Sequence, residues 1–267
     1  MSAEIALLGR ILTLATEEQV SIEEFGRVVA SSPALSAQVV RVANSALYGM
    51  EGRITRLERA ILILGVRTAA ATASSVLMSS KLRAVRIGPV SGDALWMHSL
   101  EIGACAELLA RCLGWPHEAE AYLAGLLHDL GMQELFQEHG ASYADVLTQA
   151  RATDGDQLLL ERALCGEDHG MRLERVARQA GFPAVLCDSF ACHHDPLQAG
   201  GAAQAVASLV HASHIVVDPA LAGWSDHARD AEHDAAALAR LGLSSDDVAD
   251  VRATLDERLK DLITAFA

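Results

Sequence analysis

Aromatic side chains are scarce in this 267-residue chain: three Trp, three Tyr and five Phe make up 4 % of it. With 51 % hydrophobic residues overall, the interior falls to Ala, Leu and Val. That composition favours closely packed helices over aromatic-rich sheets. No apolar run approaches the twenty or so residues that cross a bilayer. The N-terminal MSAEIALLGR lacks the basic segment and apolar core of a secretory signal. The five cysteines are scattered, odd in number and form no CxxC pair. They read as reduced, mostly buried thiols, so a cytoplasmic location is expected. No GxGxxG, phosphate-binding loop or Ser-His-Asp arrangement is present, and no segment alternates apolar and polar residues long enough to make a strand.

Positive charge is also short. The net charge of −14 divides unevenly: residues 1–90 hold ten basic against seven acidic residues, and the remainder eleven against twenty-eight. The acidic C-terminal part would repel phosphate backbones, which makes nucleic acid an unexpected partner. Lys81, Arg83 and Arg86 are expected to meet the acidic part of the same chain. Arg53, Arg56 and Arg59 read as a solvated ridge paired with Glu51 and Glu58.

What is abundant is helical punctuation. Ser21 with Glu24, Thr55 with Glu58, and Ser244 with Asp247 read as capping boxes, and Ser32-Pro33 as a cap followed by proline in the first turn. Asn44-Ser45 is expected to end a helix through side-chain hydrogen bonds. Residues 86–92, with two glycines and a proline, read as a linker. Helices are expected over 94–113, 117–130 with a stop at Gly131, 142–152, 156–165, from Asp168 to Gly181, from Pro183 to His193, and over 202–217. Asp218–Asp230 reads as a polar connection. The last helix carries Val248, Val251, Leu255, Leu259, Leu262 and Phe266 as a one-sided stripe that packs on the domain or serves as a dimer face. The expected fold is all-α and two-lobed, with one helical lobe over 1–90 and another over 91–267.

All eleven histidines follow residue 97. GLLHDLGM, residues 125–132, sets His128 and Asp129 side by side in an apolar stretch. His98 lies upstream, His169 downstream, and His193-His194 further on. Imidazole and carboxylate together suit zinc, iron, manganese or nickel. On a continuous helix adjacent side chains point about 100° apart, so His128 and Asp129 can share a site only where the helix end is tight. Taken singly, each of these residues is as well explained by packing, capping or exposure; taken together, so many imidazoles are not.

The order His98, His128-Asp129, His169, His193-His194 resembles the HD superfamily of metal-dependent phosphohydrolases. The stretches SSPALSAQVVRVANSALYG (31–49) and ITRLERAILILG (54–65), followed by ALWMHS, YLAGLLHDLGM, ERALCGEDHG, AGFPAVL and CHHDP, are similar to its HDOD branch, the HD-related output domain of bacterial signalling proteins. These blocks span about residues 20–214. The resemblance implies metal ligation by His98, His128 and Asp129 at one position, and by His169, His193 and His194 at a second. It also implies a late aspartate where this chain has Ser213, with His211 or His214 as substitutes, and a lysine where it has Met132. The expectation is therefore a stand-alone regulatory protein working through contacts with a signalling partner, retaining a divalent metal but without turnover and with no catalytic residue assigned. The competing expectation is a phosphohydrolase acting on a nucleotide or cyclic dinucleotide.

Overall fold

The computed structural model describes residues 2–17, 19–45, 52–153, 156–217 and 231–266. The helices are α1 (Ala3–Thr16), α2 (Ile22–Ala30), α3 (Pro33–Ala43), α4 (Leu57–Leu64), α5 (Val66–Arg83), α6 (Gly92–Cys112), α7 (Glu118–Leu127) and α8 (Leu130–His139). They continue as α9 (Ala141–Thr153), α10 (Gln157–Cys165), α11 (His169–Gln179), α12 (Ala184–Cys192), α13 (Gly201–Val216), α14 (Ala231–Leu241) and α15 (Ser245–Phe266). The fold is all-α. Among the described residues, strand is confined to β1 (Arg86–Ile87) and β2 (Val90–Ser91), an antiparallel pair in the stretch expected to be a plain linker. Gly88, at φ 55°, makes the turn, and Ile87 and Val90 are buried, which pins the hairpin down.

Most of the caps form as their sequences suggest. Ser21 Oγ accepts from Glu24 N–H at 3.0 Å, and Ser244 and Asp247 bond reciprocally, at 2.8 Å and 3.2 Å. Thr55 does not cap. α4 starts with Arg56 at the N-cap and no side-chain bond. The reason lies in Asn44: its amide donates to Ile54 C=O at 2.7 Å, and its carbonyl accepts from Ile54 N–H at 2.9 Å. That clamp both ends α3 and anchors buried Ile54, so the backbone before α4 is fixed by Asn44 rather than by Thr55. The 117–130 helix is also corrected. It breaks at His128-Asp129, and Gly131 lies within α8.

Two apolar cores organise the helices. Phe25, Val29, Leu35, Val39 and Ile61 centre the first, and α6 with α7, α12, α13 and α15 encloses the second. α1 serves both, with Ile11 and Leu14 in the first core and Ile5, Leu8 and Leu12 in the second. α5 does the same through Ala69 and Ala73 on one side and Met78 and Leu82 on the other. α6 and α7 cross so closely at Gly103 and Gly125 that a Cβ on Gly125 would lie 2.8 Å from the Gly103 backbone. Lys81 reaches Glu134 at 3.3 Å and Arg83 reaches Asp93 at 2.7 Å, so both meet acidic residues beyond position 90. Arg56 pairs with Glu58 at 3.6 Å on the exposed surface, while Glu51 lies outside the described residues, as does the 218–230 connection. Val251, Leu255, Leu259 and Leu262 are buried on α15, which packs along α6; the side chain of Phe266 is outside the description. No disulfide links the cysteines: Cys105 and Cys187 are buried, Cys165 and Cys192 half-buried, and Cys112 exposed.

Candidate metal centre

Helix ends build the centre. α7 stops at Leu127; His128 keeps helical angles, and Asp129 turns to φ −94°, ψ 1°, the sparsely populated bridge region. The break places both side chains at one point, with His128 Nε2 3.1 Å from Asp129 Oδ2. His98 comes in from α6, its Nε2 3.5 Å from the same oxygen. His169, the first residue of α11, faces the other oxygen, Nε2 to Oδ1 being 3.4 Å. α12 ends at Cys192, so His193 and His194 follow at its terminus. His193 Nε2 stands 3.4 Å, and His194 Nε2 2.9 Å, from His169 Nε2. All six residues singled out in the sequence therefore meet. Five are buried and His194 is half-buried.

The outer nitrogens fix the rings. A backbone carbonyl only accepts, so a ring nitrogen bonded to one must carry the proton. His128 Nδ1 donates to Gly125 C=O at 2.7 Å, His193 Nδ1 to Phe190 C=O at 2.7 Å, and His214 Nδ1 to Val210 C=O at 2.9 Å. In the neutral rings each Nε2 then carries a lone pair into the centre. His214 Nε2 lies 3.2 Å from His128 Nε2, so lone pairs face one another across van der Waals distance. Asp129 adds a carboxylate buried to 0 % exposure whose two oxygens have no hydrogen bond. Such an array is costly on its own and is satisfied by a cation.

The residues fit a metal. His98, His128 and His214 form one set, His169, His193 and His194 another, and His128, Asp129 and His193 a third between them; within each, the ligand atoms lie within 4.8 Å of one another. Asp129 faces both outer sets, one oxygen to each. Ser213 contributes nothing here: its hydroxyl donates to Leu209 C=O in its own helix at 2.7 Å. His214, one residue on, supplies the ring instead. His211 stays at the margin, its Nδ1 3.3 Å from His193 C=O. Met132 is fully buried.

Glu161 was not expected from the sequence. Fully buried on α10, it accepts from His169 N–H at 2.9 Å, His169 Nδ1 at 2.8 Å, Tyr143 Oη at 2.7 Å and Gln157 Nε2 at 2.8 Å. Burial alone would raise its pKa, but the neighbouring His169 ring and these hydrogen bonds outweigh it and hold the carboxyl below its ordinary value. A carboxylate behind a histidine in this way is the arrangement that orients the ring where such a histidine binds a metal. Gly131 completes the arrangement, since a Cβ there would lie 1.9 Å from His169 C=O. A cleft of about 560 Å³ reaches the edge of the centre at His194 and His211, with Trp115, Gln204 and Arg240 on its walls.

The family model for the HDOD domain matches residues 5–196. No curated protein matches the chain. Among solved structures, an HDOD domain protein of unknown function from Geobacter sulfurreducens is 23 % identical, with a TM-score of 0.75 over 100 % of this chain and 91 % of that one. A “Putative signal transduction protein” from Marinobacter aquaeolei VT8 is 22 % identical at a TM-score of 0.76; the match covers 97 % of this chain but only 57 % of that one. A “Putative metal-dependent phosphohydrolase” from Shewanella amazonensis SB2B is 19 % identical at 0.59, covering 96 % and 91 %. These likenesses concern the fold.

Proposed function

The chain belongs to the HDOD family, and on that premise we propose that it is a cytoplasmic signalling protein that holds a divalent metal centre and acts through contacts with a partner protein rather than by turnover. The observation that carries this reading is the convergence of imidazole Nε2 atoms on the buried carboxylate of Asp129. His98, His128 and His214 would hold one ion, His169, His193 and His194 a second, and Asp129 would serve both. A bound ion here supplies Lewis acidity and acidifies a water; the donor set suits iron, manganese, zinc or nickel alike. Glu161 keeps His169 oriented, and the backbone carbonyls do the same for His128, His193 and His214.

Two features favour binding over turnover. The resemblance to HD phosphohydrolases implies a metal-binding aspartate where this chain has Ser213, and a lysine that would face a phosphate where it has buried Met132. For a partner, α10 offers leucines turned outward: Leu159 is 62 % and Leu164 40 % exposed, flanking the centre's own Glu161. Among the described residues no single helix is long and apolar enough to cross a membrane, and the five free cysteines suit a reducing compartment. The first apolar core, whose buried residues all fall within 11–73, supports a helical lobe within 1–90, which α1 and α5 join to an HD-like lobe over 91–267 by entering the second core as well.

The cleft at His194 and His211 favours the second reading, hydrolysis of a nucleotide or cyclic dinucleotide, because it offers approach to the centre and a cation, Arg240, on its wall. Elemental analysis of protein purified without added metal tests the first claim. Close to stoichiometric metal, lost in His128→Ala/Asp129→Ala, is expected; metal-free protein that binds no added ion sinks the metal centre. A phosphodiester hydrolysis screen of the loaded protein with manganese is expected to show no turnover, and turnover abolished by the same variant would put the hydrolase reading first.

A further inference from the structure

A second cleft, of about 620 Å³, lies between α3 and α5 on one side and α6, α7 and α15 on the other. That is within the size range of small-molecule sites. Four arginines line it, but they are not equivalent. Arg111 is engaged by Glu107 at 3.3 Å and Glu118 at 3.1 Å, and Arg258 by Glu107 at 3.2 Å. Arg41 on α3 and Arg67 on α5 are exposed, and no carboxylate of the described residues lies within ion-pair distance of either. In a chain of net charge −14, two uncompensated guanidiniums on one concave wall are unusual. Asp261, exposed on α15, is the one lining carboxylate without an arginine partner among the described residues. The floor is apolar and aromatic, from Ala71, Leu262 and Tyr122.

We propose that this cleft binds a small organic phosphate, with Arg41 and Arg67 on the phosphoryl groups and the apolar floor under the organic part. Guanidinium matches phosphate oxygens in a planar two-pronged fashion, and such charge-assisted bonds are strong where the surrounding field is not already neutralised. The site is separate from the imidazole centre, yet α7 connects them: Glu118 and Tyr122 line the cleft, and the same helix ends at His128. The proposal does not depend on the centre holding metal.

Calorimetric titration of the full chain at low ionic strength, with inorganic pyrophosphate and with adenosine 5′-diphosphate, tests it. Both should bind at one site with a dissociation constant below about 1 mM, weakening as salt is added. The nucleotide should bind at least as tightly as pyrophosphate. Arg41→Ala and Arg67→Ala, both surface changes, should each cost about tenfold or more in affinity, while Arg27→Ala, an exposed arginine of α2 outside the cleft, leaves it unchanged. No binding up to about 10 mM, binding that survives the Arg41→Ala/Arg67→Ala double variant, or binding lost in Arg27→Ala would each overturn the site. Retention of pyrophosphate with rejection of the nucleotide would overturn the organic part of the ligand.

Discussion

A carboxylate buried to the depth of Asp129, with no hydrogen bond to either oxygen, costs several kcal/mol unless a cation compensates it. Imidazoles that send their protons outward to carbonyls cannot do so as neutral rings, which is why this cluster is better explained by metal than by packing. Glu161 tests that explanation one step removed. Glu161→Gln keeps the volume and the bond from Tyr143 but weakens the hold on the His169 ring. A competition titration with a chromogenic chelator should show metal affinity falling about 10- to 100-fold, with far-UV circular dichroism unchanged; full affinity would make Glu161 a packing residue. Glu101, on α6 one turn beyond His98, behaves differently. Burial pushes its carboxyl from 4.5 to about 7. The folded state then holds a proton that the unfolded state has lost, so this residue lowers stability as pH rises through that window and does so fully above it. Glu101→Gln should therefore raise the Tm at pH 8, by up to ~3 kcal/mol in stability, with the two proteins converging near pH 4.5. His98, His128, Asp129, His169, His193 and His194 were legible only as a set, through an order along the chain that resembles the HD superfamily; the side-chain type alone does not separate them from His117 or His139. Glu161 was not: α10 turns Gln157 and Glu161 inward and Leu159 and Leu164 outward, the reverse of what apolar periodicity suggests. Polar residues four apart on a leucine-rich helix were the only available signal.

At the level of elements, capping chemistry made most helices readable. Ser21, Ser32, Asp156, Asp168 and Ser244 all accept from the first turn they precede. The failures have a common cause: a local signal was overridden by something distant in sequence. Thr55 lost its role to Asn44, eleven residues back. Gly131 looked like a helix stop, but it sits in α8, where the His169 backbone passes so close that only a glycine fits. The two-residue hairpin at 86–91 was hidden for the same reason, since burial of Ile87 and Val90, not strand propensity, makes it. Gly131 can be tested directly. A methyl group there would drive α8 from the start of α11, and because it would sit 1.9 Å from the His169 carbonyl oxygen the backbone itself must move. Gly131→Ala should cost about 1–3 kcal/mol in urea unfolding and should also reduce metal retention, because the displaced backbone is that of His169. A stable variant with full metal content would show that α8 and α11 can separate without disturbing the centre.

For the molecule as a whole, the question is whether its two cores melt together. Their residues barely mix, yet α1 and α5 each place apolar side chains in both, so neither core can open without stripping two helices that the other needs. Buried Tyr122 on α7 adds a polar tie, its hydroxyl 2.8 Å from Ser75 Oγ on α5. Ligation at the centre should therefore stabilise residues that never approach it. Metal at about 100 times its dissociation constant adds about 2.7 kcal/mol to the native state. In a cooperative molecule that increment appears everywhere. Hydrogen exchange should show amides of α2 and α3 slowing along with those of α6 and α7 when metal is added, in one thermal transition. If instead protection rises only in helices that carry ligands, and the N-terminal core melts at an unchanged temperature, the shared helices do not couple the two halves. A signal set at the metal could not then reach the α3 and α5 surface mechanically.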